Sequence, residues 1–369
     1  MRKGLCMLMT LMCLLVFACS ALAAGTTVTT FTPFADMDFA AQGYMDIVTA
    51  WEEETGNIVE DYSGLQDDLF LQQMTDMVSG GTADIVVVPV GSGLTGKQLV
   101  SVDELLAVAP DCGARKMTAM AESDGSILLT PVRLNWEALY VNTDVLAQNG
   151  LSVPTNYEEL VTVCAVLAQK GVTPIANALC EWSEIALDCA AMIGAPENQY
   201  GQQPSLDGAK SVLTALTKVG AFGVDPWNLT DEDAKNTFLE GVAAMRFDGS
   251  DLAELIGETR QENVAVVSLS GMDGQPRTKL VGTPSYGLAI TRACWQDSTR
   301  REAALSLVTR LLTGNGAAAL ASPASTTKLG QSIAQMTASA SDCAGLLYDL
   351  NPDSFDSWTE SVIASLMAM

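Results

Sequence analysis

The chain is 369 residues long, 48% hydrophobic and 17% charged, with 19 basic against 44 acidic side chains and a formal charge of −25. That length suits two domains, and the apolar fraction excludes a largely disordered chain. The acidic excess repels phosphate backbones and excludes nucleic-acid binding as a main role. Histidine is absent, which removes Ser-His-Asp and Cys-His catalysis, His-ligated zinc and the usual titration near neutral pH.

Arg2 and Lys3 precede an apolar run from Leu5 to Ala18 and then a small-residue stretch, the pattern of an export signal, with cleavage expected after Ala23. The run is shorter than the roughly 20 residues of a bilayer-spanning helix. Val16-Phe17-Ala18-Cys19 offers a second outcome, a lipobox in which Cys19 is lipidated and holds the protein at the outer face of the cell membrane. Phe17 fits that pattern poorly. Beyond the signal lie six cysteines, Cys112, Cys164, Cys180, Cys189, Cys294 and Cys343. No CxxC spacing occurs, so neither a disulfide framework nor a metal site is expected. Cys164, inside an apolar helical pattern, is expected to be a buried thiol, and Cys180 and Cys189 are near enough in sequence to pair.

Taken in order, Thr27 to Phe31 is β-branched and aromatic and reads as a strand. After the loop through Phe34, Asp36 and Asp38, the spacing of Tyr44, Ile47, Val48 and Trp51 predicts a helix closed by Gly56. Asn57 to Tyr62 reads as a strand, Phe70, Met74, Met77 and Val78 as one helix face ending at Gly80 and Gly81, and Asp84 to Val88 as a strand buried on both faces. Strand, helix, strand, helix, strand is the order of a parallel sheet wrapped by helices. Ile127 to Val132 and Ala138 to Val141 read as two extended pieces separated by Arg133 to Trp136. Thr155 and Glu158 form a predicted capping box ahead of a helix bearing Leu160, Val163, Cys164 and Leu167. Helix-rich sequence continues to about Thr259, Val264 to Ser268 returns to strand, and a helix after Ser298 places Ala303, Ala304, Leu307, Val308, Leu311 and Leu312 on one stripe.

These landmarks in order resemble the bacterial extracellular solute-binding proteins of ABC importers, in the family that includes maltose-binding and related sugar-binding proteins. The segments that carry the resemblance are Ser79 to Val88, Ala138 to Leu146, Gly150 to Leu160, Gly171 to Ala176, Phe238 to Met245 with Asp248 to Ser250, Tyr286 to Ile290, and Arg301 to Leu312. The resemblance implies an α/β fold of two lobes, the type II periplasmic-binding-protein fold, each lobe a mainly parallel sheet flanked by helices, with the ligand cleft between them. Under it, 1–23 is a signal peptide, 24–132 the first part of the N-lobe and 133–262 the first part of the C-lobe. Residues 263–310 return to the N-lobe, and 311–369 are C-terminal helices, mainly of the C-lobe.

The resemblance also implies where a solute is held. Phe34, Asp36 and Asp38 fall in a loop that faces the cleft in relatives, although Asp38 can equally cap a helix. Gly91 and Ser92 follow the third strand with the same geometry. Arg133, Asn135 and Trp136 stand where the chain first crosses between lobes. Glu181 and Trp182 fall where relatives place a cleft aromatic. Asp248, Ser250 and Asp251 form a loop in which Asp251 stands where many relatives have a stacking tryptophan. Gly282 and Tyr286 belong to a glycine-bearing loop near the solute, and Trp358 lies on a terminal helix.

The function implied is a receptor, not an enzyme, that captures a mono- or oligosaccharide by lobe closure and delivers it to the permease subunits of an ABC importer. It acts outside the cell, as a monomer, without cofactor or metal, and without nucleic acid as partner. Three alternatives remain at this point: a binder of a polyamine or other cationic or nitrogenous solute, suggested by the carboxylates around a single cation, Arg133; a carboxylate-dependent glycosidase; and a non-transport sensor or adhesin.

Overall fold

The computed structural model describes residues 25–35, 38–64, 69–179, 184–197, 206–321, 326–346 and 361–367. Strand β1 (Thr27–Phe31) leads into helix α1 (Ala41–Thr55), strand β2 (Ile58–Asp61), helix α2 (Phe70–Ser79) and strand β3 (Ile85–Pro89). Tyr44, Val48 and Trp51 are the buried face of α1, which ends at Gly56 with φ 71° and the Gly56 N–H donating to the Glu52 carbonyl. That left-handed stop is the one a glycine allows without strain. β1 pairs in parallel with both β2 and β3. The alternation of β3 divides its side chains between two cores: Val86 and Val88 pack with Phe31, Phe70 and Met74, and Ile85 and Val87 with Tyr44, Trp51 and Leu307. A strand covered on both faces needs this unbroken apolar run.

A short helix α3 (Val102–Val108) follows, opened by a capping box in which Ser101 and Glu104 bond each other's backbone N–H groups. Strand β4 (Thr130–Asn142) then runs for 13 residues. Here the structure departs from the two-piece reading of this region. Arg133 to Trp136 is continuous strand, interrupted only by register shifts between Pro131, Arg133 and Leu134. The polar Arg133, Asn135 and Glu137 alternate with the buried Leu134, Trp136 and Ala138. One side of the strand is buried while the other meets a cavity, so the hydropathy runs with a period of two. The irregularity at Arg133 is a bulge, a device that re-aims a side chain.

Helices α4 (Thr143–Gln148), α5 (Tyr157–Gln169), α6 (Glu184–Gly194), α7 (Leu206–Lys218) and α8 (Asp231–Leu239) come next. The cap of α5 is displaced by one residue from the expected box. Asn156 accepts the Glu159 N–H at 2.9 Å, and the Glu159 carboxylate takes the Thr155 N–H and hydroxyl. Asn156, rather than Thr155, precedes the first helical residue, so its side chain is the one within reach of the third N–H. Strand β5 (Met245–Gly249), the single-turn α9 (Leu252–Leu255), strand β6 (Val264–Val267) and strand β7 (Lys279–Ile290) complete the central sheet. α10 (Arg292–Gln296), α11 (Ser298–Leu312), α12 (Gly314–Ala321), α13 (Lys328–Ser339) and the two-residue strand β8 (Asp342–Cys343) follow.

β4 and β7 are the long connecting strands. They pair antiparallel over Thr130–Glu137 and Val281–Leu288. On its other edge β7 pairs antiparallel with β3 over Tyr286–Ile290, while the far end of β4 pairs antiparallel with β5 and β6. The sheet therefore combines parallel ladders around β1 with antiparallel ladders at the crossing, and helices flank it. Leu139 and Val141 of β4 pack with α5, α6 and α7 in a core of their own. At the crossing Gly282 has φ 138°, and a Cβ there would stand 2.1 Å from the Asn135 carbonyl oxygen. β4 and β7 could not approach this closely with any larger residue.

Cys112, Cys164, Cys189, Cys294 and Cys343 are buried free thiols. Cys180 and the 1–23 signal assignment lie outside the described residues. Burial pushes the Cys164 thiol up to about 12, as the apolar helix pattern around it implies.

Candidate functional site

The middle of β4 meets the middle of β7 at Arg133, Asn135, Ser285 and Tyr286, and the turn after β5 brings Ser250, Asp251 and Glu254 to the same place. Together with Phe39 ahead of α1, Trp136, and residues of α12 and α13, they line a cavity of about 240 Å3. It lies beside the carboxyl end of β5, the kind of position where crevices form in α/β sheets. Size does not distinguish it, since a cavity of about 340 Å3 lies elsewhere. Its lining does: aromatic rings, neutral polar groups and carboxylates from segments distant in sequence converge there.

Arg133 anchors one wall. Its two terminal nitrogens donate to the two carboxylate oxygens of Asp38 at 2.9 and 2.8 Å. The guanidinium also stands 4.3 Å from the Phe39 ring centre, 5.5 Å from that of Phe34 and 5.9 Å from that of Tyr286. Such stacking and bidentate pairing suit a planar guanidinium. The cation is thereby neutralised, and the rings are held around it. Burial raises the Tyr286 phenol above its usual value, an effect the Arg133 charge partly opposes. Two buried polar atoms in this lining, Arg133 Nε and Ser285 Oγ, have no hydrogen-bond partner among the described residues. Buried polar groups are nearly always paired, so a ligand oxygen is the natural partner.

The opposite wall rests on a buried ion network. Arg246 donates from Nε to Asp248, from one terminal nitrogen to the Ala176 carbonyl at 2.8 Å, and from the other to both oxygens of Asp231. Asp248 also takes the Gly249 N–H at 2.8 Å, and the Tyr140 hydroxyl donates to the Gly249 carbonyl at 2.8 Å. The turn that carries Ser250 and Asp251 is thus fixed from below. Asp251 is exposed, with the Ser250 hydroxyl 3.5 Å from its carboxylate. Trp136, only 3% exposed, stacks on Tyr140 with ring centres 5.7 Å apart.

Of the residues expected to hold a solute, Arg133, Asn135, Trp136, Ser250, Asp251 and Tyr286 come together in this lining. Asp38 joins it through Arg133. Others stand elsewhere. Phe34 is buried and packs against Tyr44 at 5.5 Å, because its ring completes the core beneath α1. Asp248 faces Arg246 and its own backbone turn. Gly91 and Ser92 form a turn, with the Ser92 N–H on the Pro89 carbonyl at 3.1 Å; they are not in the lining, although Val90 donates to the Ser285 carbonyl. Gly282 serves the strand crossing. Asp36, Glu181, Trp182, Trp358 and Cys19 lie outside the described residues. Sequence reasoning missed Phe39, Glu254 and Ser285, each beside or near a residue it chose. It also missed Ile333 of α13 and Ala321 of α12, which arrive from far along the chain and carry no local signal.

Comparison with known proteins bears on the family and the fold. The profile of the bacterial extracellular solute-binding proteins matches residues 46–351. A search of curated proteins by sequence finds no match. Among solved structures, a probable secreted solute-binding lipoprotein from Streptomyces coelicolor is similar over 93% of this chain and 95% of its own, with 17% identity and a TM-score of 0.63. A family 1 extracellular solute-binding protein from Alicyclobacillus acidocaldarius covers 93% of each chain, with 16% identity and a TM-score of 0.62. The bacterial solute receptor AcbH, described as having an exclusive preference for β-D-galactopyranose, covers 93% of this chain and 96% of its own, with 14% identity and a TM-score of 0.60. These likenesses establish a shared fold, and the profile match over most of the chain establishes the family: the chain belongs to the bacterial extracellular solute-binding proteins, receptors of the ABC-importer type.

Proposed function

We propose that the cleft between β4, β7 and the turn after β5 captures a carbohydrate, a mono- or oligosaccharide, and hands it to the permease of an ABC importer. The observation that carries this reading is the lining itself. Aromatic Phe39 and Tyr286 offer faces for sugar C–H surfaces, and Asn135, Ser250 and the unpartnered Ser285 hydroxyl offer bonds to sugar hydroxyls. The galactopyranose preference stated for AcbH supports it. Binding of this kind needs no covalent step.

The two lobes of this reading are best divided at the long strands. β6 pairs with the same end of β4 as β5 does, on its opposite edge, so the return to the first lobe is better drawn at β7 than at residue 263. α12 packs on α1 and α11, which supports grouping it with the first lobe. Closure of the lobes about the β4–β7 crossing would enclose the solute, a common use of such hinges. Export and action as a monomer complete the proposal, with the signal either cleaved after Ala23 or replaced by a lipid anchor at Cys19.

A second reading has its own support. Asp251 and Glu254 line the cavity while Asp38 neutralises its one cation, Arg133, so the lining favours a neutral or cationic solute over an anion. Thermal unfolding against monosaccharides, oligosaccharides, polyols and polyamines separates the two. A ligand at 100 times its Kd adds about 2.7 kcal/mol to the folded state, a shift of a few degrees. A shift with one sugar class, diminished in Asn135→Ala, supports the carbohydrate receptor. A shift with spermidine alone, abolished in Asp251→Asn, transfers the assignment to a cationic solute. Silence across the panel would sink both.

A further inference from the structure

A second cavity, of about 340 Å3, is walled by β6 and the segment after it, the start of β7 and one face of α13, and it shares no lining residue with the cleft. Its chemistry is opposite to that of the chain as a whole. Acidic residues number 44 of 369, yet none of the sixteen residues around this cavity is Asp or Glu, and two are cations, Arg277 and Lys279.

The two cations differ. Arg277 is almost wholly buried and fully occupied, donating to the Met192, Ile193 and Ala195 carbonyls and pairing with Asp273 at 3.0 Å. The Lys279 ammonium, on a half-buried side chain, has no hydrogen-bond or ion-pair partner among the described residues. The neighbouring carboxylate of Glu197 takes the backbone N–H groups of Thr278 and Lys279 and the Thr278 hydroxyl instead. Around Lys279 the Ser268, Ser270 and Gln335 side chains also donate to no described group, and Val266, Leu280 and Met336 supply an apolar surface. An ammonium without a direct ion-pair partner gains from an anion that also accepts hydrogen bonds.

We infer that this cavity is a second small-molecule site, taking a compact organic carboxylate whose charge meets Lys279 and whose chain lies on Val266, Leu280 and Met336. At roughly 30 Å3 per water the space holds about eleven waters, so the ligand has about ten non-hydrogen atoms. The site is also placed to act on the cleft. Ser332 of α13 accepts the Val266 N–H at 2.9 Å and lines the second cavity, while its neighbour Ile333 lines the cleft. An occupant therefore braces the helix that forms one wall of the solute site.

Calorimetric titration with hexanoate and with its neutral counterpart hexanamide tests this. Hexanoate should bind saturably, and about tenfold or more tighter than hexanamide, a factor that a charge-assisted contact supplies. Lys279→Met should lose that margin while keeping the parent's unfolding temperature within a few degrees, and Gln335→Ala should weaken hexanoate without removing its preference over the amide. Asp251→Asn, in the cleft, should bind hexanoate as the parent does. The inference is overturned by the absence of saturation at millimolar hexanoate, by equal binding of acid and amide, by unchanged binding in Lys279→Met, or by altered hexanoate affinity in Asp251→Asn.

Discussion

Two arginines flank the cleft, each paired with aspartate, and they do different things. Arg246 is 1% exposed at its side chain, and its Nε and both terminal nitrogens bond to Asp248, Asp231 and the Ala176 carbonyl. Arg133, at 14%, gives both terminal nitrogens to Asp38 and leaves Nε without a described partner beside the cavity. The residue types and the ion pairing are alike; the number of donors left over is not. A fully satisfied buried cation is scaffold, whereas one with a remaining donor and rings stacked about it is in a position to meet a ligand.

That contrast is open to attack from both sides. The largest effect is expected at Arg246: its replacement by Met strands Asp248 in a buried site and should reduce stability by about 3 to 5 kcal/mol in denaturant unfolding. A loss below 1 kcal/mol would mean that the network is not scaffold. At Arg133 the pair with Asp38 is less buried, and Arg133→Met should lower stability by about 1 to 3 kcal/mol while weakening solute binding at least as strongly. Weaker binding with intact stability would assign Arg133 wholly to the ligand, and the reverse would make it a second Arg246.

Ser285→Ala sharpens the comparison further. The hydroxyl has no partner to lose, so stability should stay within about 0.5 kcal/mol, while affinity for the solute drops by about 0.5 to 1.5 kcal/mol. A variant that unfolds earlier yet binds equally well would remove Ser285 from the site. The smallest effect belongs to a third arginine pair, Arg292 with Glu104, whose side chains are 29% and 43% exposed. The hydrogen bond from Arg292 holds the Glu104 carboxyl at about 2. Because the folded value lies below the unfolded one near 4.3, the stabilisation is complete above about pH 4.3 and disappears as the pH falls towards 2. Solvent screening limits it to below about 1 kcal/mol, read as the difference between parent and Glu104→Gln unfolding at pH 5 and at pH 2.5.

The same distinction explains how much of the site could be read without the structure. Asn135, Ser250, Asp251 and Tyr286 were reachable because the family resemblance puts each in a loop or crossing segment that borders the cleft in relatives. Asp248 was chosen for its neighbours in the turn after β5, but Arg246, two residues earlier on the same strand, claims its carboxylate. Phe34 was chosen for its loop, but its ring is needed by the core under α1. Competition for a side chain between core and cleft is settled by distances across the chain, and local pattern does not contain them.

The sequence by itself determined the elements and the family. The 3.6-residue spacing of Tyr44, Val48 and Trp51, the apolar run of β3 and the helix-ending Gly56 follow from local geometry and burial. The ordered landmarks from Ser79 to Leu312 carry the resemblance to solute receptors. The tertiary structure decided what depends on meeting: that β4 runs unbroken through Arg133 with a bulge, that Gly282 lets β7 pass against Asn135, and that Ile333 of α13 closes a cleft whose first lining residue is Phe39. Periodicity registers one face of one element at a time. A binding site is made where faces of several elements converge, and only the folded chain brings them together.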